Sequence, residues 1–150
     1  MYKCIMGVDP GAGGSFAFYF PLRPNLIGIY DTPSIGKRIN VDELAKIIRN
    51  FEPDIAFIED VHAFPKQGVV SVWNFAEAHG AFLGVVGTLG IKTALVSPKS
   101  WKKAMGLSSD KSESLKMARE FWPNSTMFKR KRDHNRAEAA LIALYGSKQL

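Results

Sequence analysis

The chain has 150 residues, 46% of them hydrophobic, which argues for one domain, 1–150, with enough apolar matter to bury a core. No run of about 18 uninterrupted apolar residues occurs, so no membrane span is expected, and Met1-Tyr2-Lys3-Cys4-Ile5 does not read as a signal peptide. Of the formal charge of +6, four units come from one run, Lys129-Arg130-Lys131-Arg132, which points to a phosphate-rich partner as readily as to a solvated loop.

Lys3 to Val8 is short and apolar and runs into Asp9-Pro10-Gly11, the pattern of a buried strand ending in a turn. It contains the only cysteine, Cys4, which permits no internal disulfide and fits a reducing, cytoplasmic setting. Ser15 to Phe20 predicts a returning strand, and Leu26 to Tyr30 a third, together an antiparallel meander. Asn40 is placed to cap a helix with Asp42 and Glu43 in its first turn and Val41, Leu44, Ile48 and Phe51 at helical spacing. Pro53 ends it. Ile55 to Glu59 predicts a core strand, Val70 to Leu89 a helix, and Lys92 to Val96 another short strand. Ser97 to Asp110 reads as a linker. Helices are predicted from Asp110 to Phe121 and from Asn135 to Tyr145. Early hairpins followed by alternating strands and helices imply an α/β sandwich with a mixed sheet.

Three acids fall at the ends of predicted core elements: Asp9, Glu59 and Glu138. Asp9 alone fits an ordinary turn, and Glu59, with Asp60 beside it, fits an exposed strand end. Glu138 adjoins the packed-looking run Ala139-Ala140-Leu141-Ile142-Ala143-Leu144, where a carboxylate needs a partner or a metal. Clustered carboxylates repel one another, and a bound divalent cation removes that cost. Two magnesium ions about 4 Å apart activate a water, stabilise a leaving oxygen and clamp a scissile phosphate.

Ile5-Met6-Gly7-Val8-Asp9-Pro10-Gly11, Ile55-Ala56-Phe57-Ile58-Glu59 and Arg136-Ala137-Glu138-Ala139-Ala140-Leu141-Ile142-Ala143 resemble, in order and spacing, the three acidic motifs of the RuvC-type Holliday junction resolvases. These belong to the RNase H-like nucleases. The small size and basic lead-in to the last helix look most like the phage-type members, which work in the cytoplasm of a bacterial host. The resemblance implies an RNase H-like fold, a mixed five-stranded sheet with helices on both faces. It also implies a homodimer that nicks two symmetry-related strands of a four-way DNA junction with Mg2+, two ions per site, or with Mn2+ in their place. Asp9, Glu59 and Glu138 would be metal ligands.

The fourth ligand departs from the pattern. Three residues before the last acid, where the bacterial members carry Asp, this chain has Asn135. Asp133 is expected to coordinate instead, from the loop. His134, four residues before Glu138, shares its helix face if the helix reaches that far, and would serve the attacking water or the leaving group as a catalytic residue.

For nucleic acid, Lys129, Arg130, Lys131 and Arg132 are expected to hold phosphates beside the metal site. Lys99, Lys102 and Lys103 join them from the Ser97 to Lys103 segment. Trp101 stacks on a base or, the favoured reading, packs as core. In the segment after Glu59, Phe64 is placed to enter an opened junction and Lys66 to touch phosphate; a plain connecting loop fits equally, and the resemblance favours the DNA-facing reading. Gly80, Gly84 and Gly87 fit either a dimer contact or close packing of their helix on the sheet.

Other readings fit the same acids: a nuclease of this fold acting on flaps, forks or RNA–DNA hybrids, or a binding module without catalysis. The presence of all three acids counts against the module. A sugar-kinase or actin-like half starts with a similar turn, but such chains are far longer.

Overall fold

A computed structural model describes residues 1–11 and 13–150. Among the described residues, seven strands and five α-helices follow in order: β1 Ile5–Asp9, β2 Ser15–Tyr19, β3 Ile27–Asp31, β4 Ser34–Ile35, β5 Arg38–Ile39, α1 Val41–Phe51, β6 Ile55–Glu59, α2 Val69–Thr88, β7 Lys92–Val96, α3 Pro98–Ala104, α4 Lys111–Phe121 and α5 His134–Lys148. A five-stranded sheet takes the order β3-β2-β1-β6-β7. The first three strands pair antiparallel, and β1, β6 and β7 run parallel. The mixed sheet and its antiparallel meander agree with the sequence reading.

Two-residue alternation splits the strand side chains between two cores. Ile5, Ala17, Tyr19, Ile29, Ile55 and Phe57 face a layer built by α3, α4 and α5. Cys4, Met6, Val8, Phe16, Phe18, Ala56 and Ile58 face α1 and α2. Both faces of β1 and β6 are covered, which is why those strands are apolar throughout. Each fully buried Phe or Ile contributes on the order of 1.5–3 kcal/mol. Phe18 also stacks on Phe51 of α1, ring centroids 4.0 Å apart.

The start of α1 follows the predicted chemistry, and the helix stops just before Pro53 as expected. The Asn40 side chain accepts from the Glu43 amide, and Glu52 closes the helix in a left-handed conformation, φ 47°. Three of these elements, β4, β5 and α3, escaped the sequence reading. The hairpin of β4 and β5 turns through Gly36 at φ 62°, with strands too short to show a period. The supposed linker contains α3, whose start is signalled by Ser97 capping the Ser100 amide and by Pro98 in the first turn.

Helix α2 is 20 residues long, and by length and composition alone it is long and apolar enough to cross a membrane. It holds no long uninterrupted apolar run because Asn74, Glu77 and His79 break it. Ala78, Phe82 and Val86, at spacings of four, bury one stripe of it against the sheet. Val69, Val70 and Trp73 stay exposed. A Cβ added at Gly80, Gly84 or Gly87 would touch nothing, so the glycines do not serve packing within the chain.

Candidate active site

Parallel pairing puts Ile5 opposite Ile55 and Val8 opposite Ile58, so Asp9 and Glu59 end neighbouring strands at one level. Both share the parity of the side chains that face the α5 layer. The third acid arrives on α5, and glycines set its height. A Cβ on Gly7 would overlap the Ala139 carbonyl and the Ala143 nitrogen, and one on Gly146 would overlap the Phe57 ring. The helix therefore lies flush on the sheet. Glu138, the residue before Ala139, is buried at the two strand ends.

The electrostatics record that convergence. Burial, and then the charges of Glu59 and Glu138, push the half-buried Asp9 well above the ordinary carboxylate range. Burial also raises Glu59, opposed by a hydrogen bond from Trp101 and reinforced by Glu138. Two ammonium groups offset the repulsion. Lys102 Nζ lies 3.3 Å from Glu138 Oε2, with both side chains largely buried. The positive charge of Lys111 acts on both Asp9 and Glu59. Sequence reasoning missed Lys111. Its signal is a cation one residue after the helix-capping Asp110, where the helix dipole disfavours positive charge.

Trp101 is fully buried, which excludes base stacking. Its indole N–H donates to Glu59 Oε2 at 2.7 Å and fixes that carboxylate. Lys102 is drawn inward onto Glu138 rather than out toward a phosphate. Lys99 and Lys103 are exposed, as are Phe64 and Lys66 in the segment after Glu59.

Asp133 does not join the three acids. It is buried, and Arg130 takes both its oxygens: the Arg130 amide donates to Oδ2 at 2.7 Å and Nε to Oδ1 at 2.9 Å. Arg136 stands 3.5 Å from the same Oδ1 and grips Asp31 through Nε and Nη2 at 2.8 and 2.6 Å. The carboxylate predicted to bind metal is instead neutralised by arginine. His134 begins α5, so it does share a helix face with Glu138, and its Nδ1 is buried without a partner among the described residues. Asn135 lines the cleft of Asp9 and donates to the Gly13 carbonyl at 2.8 Å.

No family model matches the sequence, and no curated protein matches it in sequence. Solved structures do match. Thermus thermophilus RuvC in complex with a Holliday junction superposes with a TM-score of 0.73 at 15% identity, over 98% of this chain and 96% of that one. The fowlpox virus resolvase, also solved with Holliday junction DNA, gives 0.55 at 15% identity over 98% of both chains. The yeast mitochondrial Holliday junction resolvase gives 0.57 at 14% identity, over 95% of this chain and 78% of that one.

The chain has the RuvC form of the RNase H-like fold.

Within this RuvC-like fold, the donor set suits a divalent cation. It offers hard carboxylate oxygens, desolvated and mutually repelling, with the orphaned His134 nitrogen one turn from Glu138. Among the described residues no three acidic, histidine or cysteine side chains already close on one point. Trp101 and Lys102 hold Glu59 and Glu138, so these two would hand over oxygens on loading. The cleft at Asp9 has a volume of about 440 Å³ and is walled by Pro10, Gly14, Phe75, Lys111 and Asn135. The exposed run Lys129 to Arg132 leads into α5 beside it.

Proposed function

We propose that the chain is a divalent-metal-dependent endonuclease that cuts four-way DNA junctions by paired, symmetric nicks. The observation that carries this reading is the meeting of Asp9, Glu59 and Glu138 under a glycine-seated α5, in a fold shared with resolvases solved on Holliday junctions.

Asp9, Glu59 and Glu138 would hold the metal, which when bound supplies a polarised water and charge stabilisation at the phosphate. The chain's own residues do the rest. Trp101 fixes the Glu59 oxygen, and Lys102 balances Glu138. Lys111, on the cleft wall, adds positive charge where a phosphate would enter. His134, one turn before Glu138 and with a buried unpartnered Nδ1 among the described residues, would serve the attacking water or the leaving group. Lys99, Lys103, Lys66 and the 129–132 run would take backbone phosphates, and exposed Phe64 would meet unstacked bases.

Two symmetric nicks need two active sites. The exposed Val69, Val70 and Trp73, together with the open glycine stripe of α2, support a second copy of this chain as the covering surface. The lone Cys4 is buried, and burial, with the Asp54 charge, pushes its thiol up to about 12, so an unreactive thiol in a reducing cytoplasm fits.

The test is cleavage of a synthetic four-way junction with Mg2+, beside a linear duplex, a flap and an RNA–DNA hybrid, by the wild type and Asp9→Asn. Paired nicks in the junction, lost in the variant, are expected. Equal cutting of flaps or hybrids would keep the nuclease and remove the junction assignment. Junction binding with no cutting of any substrate would leave a binding module.

A further inference from the structure

We infer that a second cavity, on the far side of Asn135 from Asp9, binds another backbone phosphate of the bound strand through Arg130 and Arg132, and that buried Asp133 aims Arg130 at it. This rests on the nuclease reading above and assigns the substrate contact next to the cutting site.

The cavity has a volume of about 330 Å³. Gly13, Gly14 and Asn135 form a wall common to it and to the Asp9 cleft. The Asn135 to Gly13 hydrogen bond fixes that saddle, and a Cβ at Gly13 would meet nothing among the described residues beyond its chain neighbours, so the saddle is open there. A strand lying over the saddle presents one phosphate to the carboxylates and a neighbouring one to the arginines.

The arginine side is built for this. Arg136 is spent internally, with Nε and Nη2 on Asp31 and Nη1 on the Met127 carbonyl and Asp133. Arg130 commits Nε and Nη2 to Asp133, which leaves Nη1 without a partner among the described residues. Arg132 forms no ion pair among the described residues and lines the same cavity. Three guanidiniums face two carboxylates there, so one positive charge is left over. Arg119 pins the backbone under the run by donating to the Phe128 and Lys129 carbonyls at 2.7 and 3.1 Å. Guanidinium groups held rigidly, with free N–H donors at a cavity mouth, suit a phosphate.

The experiment measures binding of the full-length protein to a four-way junction, without divalent metal, across a series from about 50 to 200 mM salt. The variants are Arg132→Gln, Asp133→Asn and, on the opposite face, Lys46→Gln, with thermal midpoints recorded for each. Arg132→Gln is expected to lower the slope of log affinity against log salt by about 0.9, the value for one phosphate contact. Its midpoint should be unchanged. Asp133→Asn should lower the slope in the same sense, while Lys46→Gln keeps the wild-type slope. A junction-binding wild type whose slope survives Arg132→Gln would overturn the inference. So would a cavity that sodium phosphate fills, with a raised midpoint in the wild type alone, while the junction slope stays the same, since that marks a free-anion site. A wild type that binds no nucleic acid would remove the nuclease reading, and this contact with it.

Discussion

Two groups of acids flank the start of α5, and they are held in opposite states. Asp9, Glu59 and Glu138 stand together, burial and mutual charge raise the first two, and two lysines answer them only in part. Asp31 and Asp133 each meet an arginine. Asp31 is lowered first by its hydrogen bond from Arg136, and for Asp133 burial works upward but the Arg130 hydrogen bonds win. Acids that a fold satisfies with arginine are finished as structure. Acids that it crowds and leaves short of positive charge carry a repulsion that a cation supplied from outside would relieve. The difference separates Asp133, next to the same helix and of the same type, from the crowded three and assigns it to the arginine brace.

Four changes sharpen or break that contrast, beginning with the largest effect. Asp9→Asn should cut junction cleavage by about a thousandfold or more, since a lost metal ligand removes several kcal/mol of transition-state stabilisation. Nicking rates under single-turnover conditions read this directly. Gly7→Val should destabilise the fold by about 3 kcal/mol, at the upper end for overpacking, because backbone and not a flexible side chain stands where the new atoms go. Urea midpoints would show it, and cleavage should fall too as α5 lifts Glu138 away. Asp133→Asn should cost about 2 kcal/mol, less than for a fully buried pair because Arg130 is 46% exposed and screened by solvent. Trp101→Phe removes one hydrogen bond to a charged group, worth roughly 1.5–3 kcal/mol if fully expressed, so cleavage should drop about tenfold while the chain stays folded.

The contrast also has a signature in pH. Asp9 and Glu59 are raised, so in metal-free protein their contribution to stability is full below the unfolded carboxylate value of about 4 and is lost as pH climbs through their folded values. Asp31 and Asp133 are lowered, so theirs is present above about 4 and lost on acidification. The melting temperature of Asp9→Asn should therefore gain on the wild type by a few degrees as pH rises above the ordinary carboxylate range, and saturating Mg2+ should close the gap. Asp31→Asn should lose its difference from the wild type at acid pH instead.

Much of this architecture is written in local pattern. The strands around Asp9 and Glu59 are apolar on both faces, and the register that aligns them follows from covering both faces of a parallel pair. The helix caps at Asn40 and Asp110 are readable one by one. Tertiary pairing is what a single chain conceals. Asp133 and Asp9 look alike as acids near core elements, and only the fold shows that Arg130 and Arg136 reach the first and not the second. Trp101 and Lys102 carry the composition of a DNA-binding segment, yet the turn begun by Ser97 and Pro98 swings them inward onto Glu59 and Glu138. Lys111 lies far in sequence from Asp9, Glu59 and Glu138 and reaches the cleft only because α4 packs beside α5.

The most direct test of the central claim is calorimetric titration of metal-free protein with Mn2+, comparing the wild type with Asp9→Asn, Glu59→Gln, Glu138→Gln and Asp133→Asn. Binding should be lost or weakened at least about tenfold in the first three variants and kept in Asp133→Asn. Loss of binding in Asp133→Asn, with Glu138→Gln unaffected, would contradict the division of the acids into a metal site and an arginine brace.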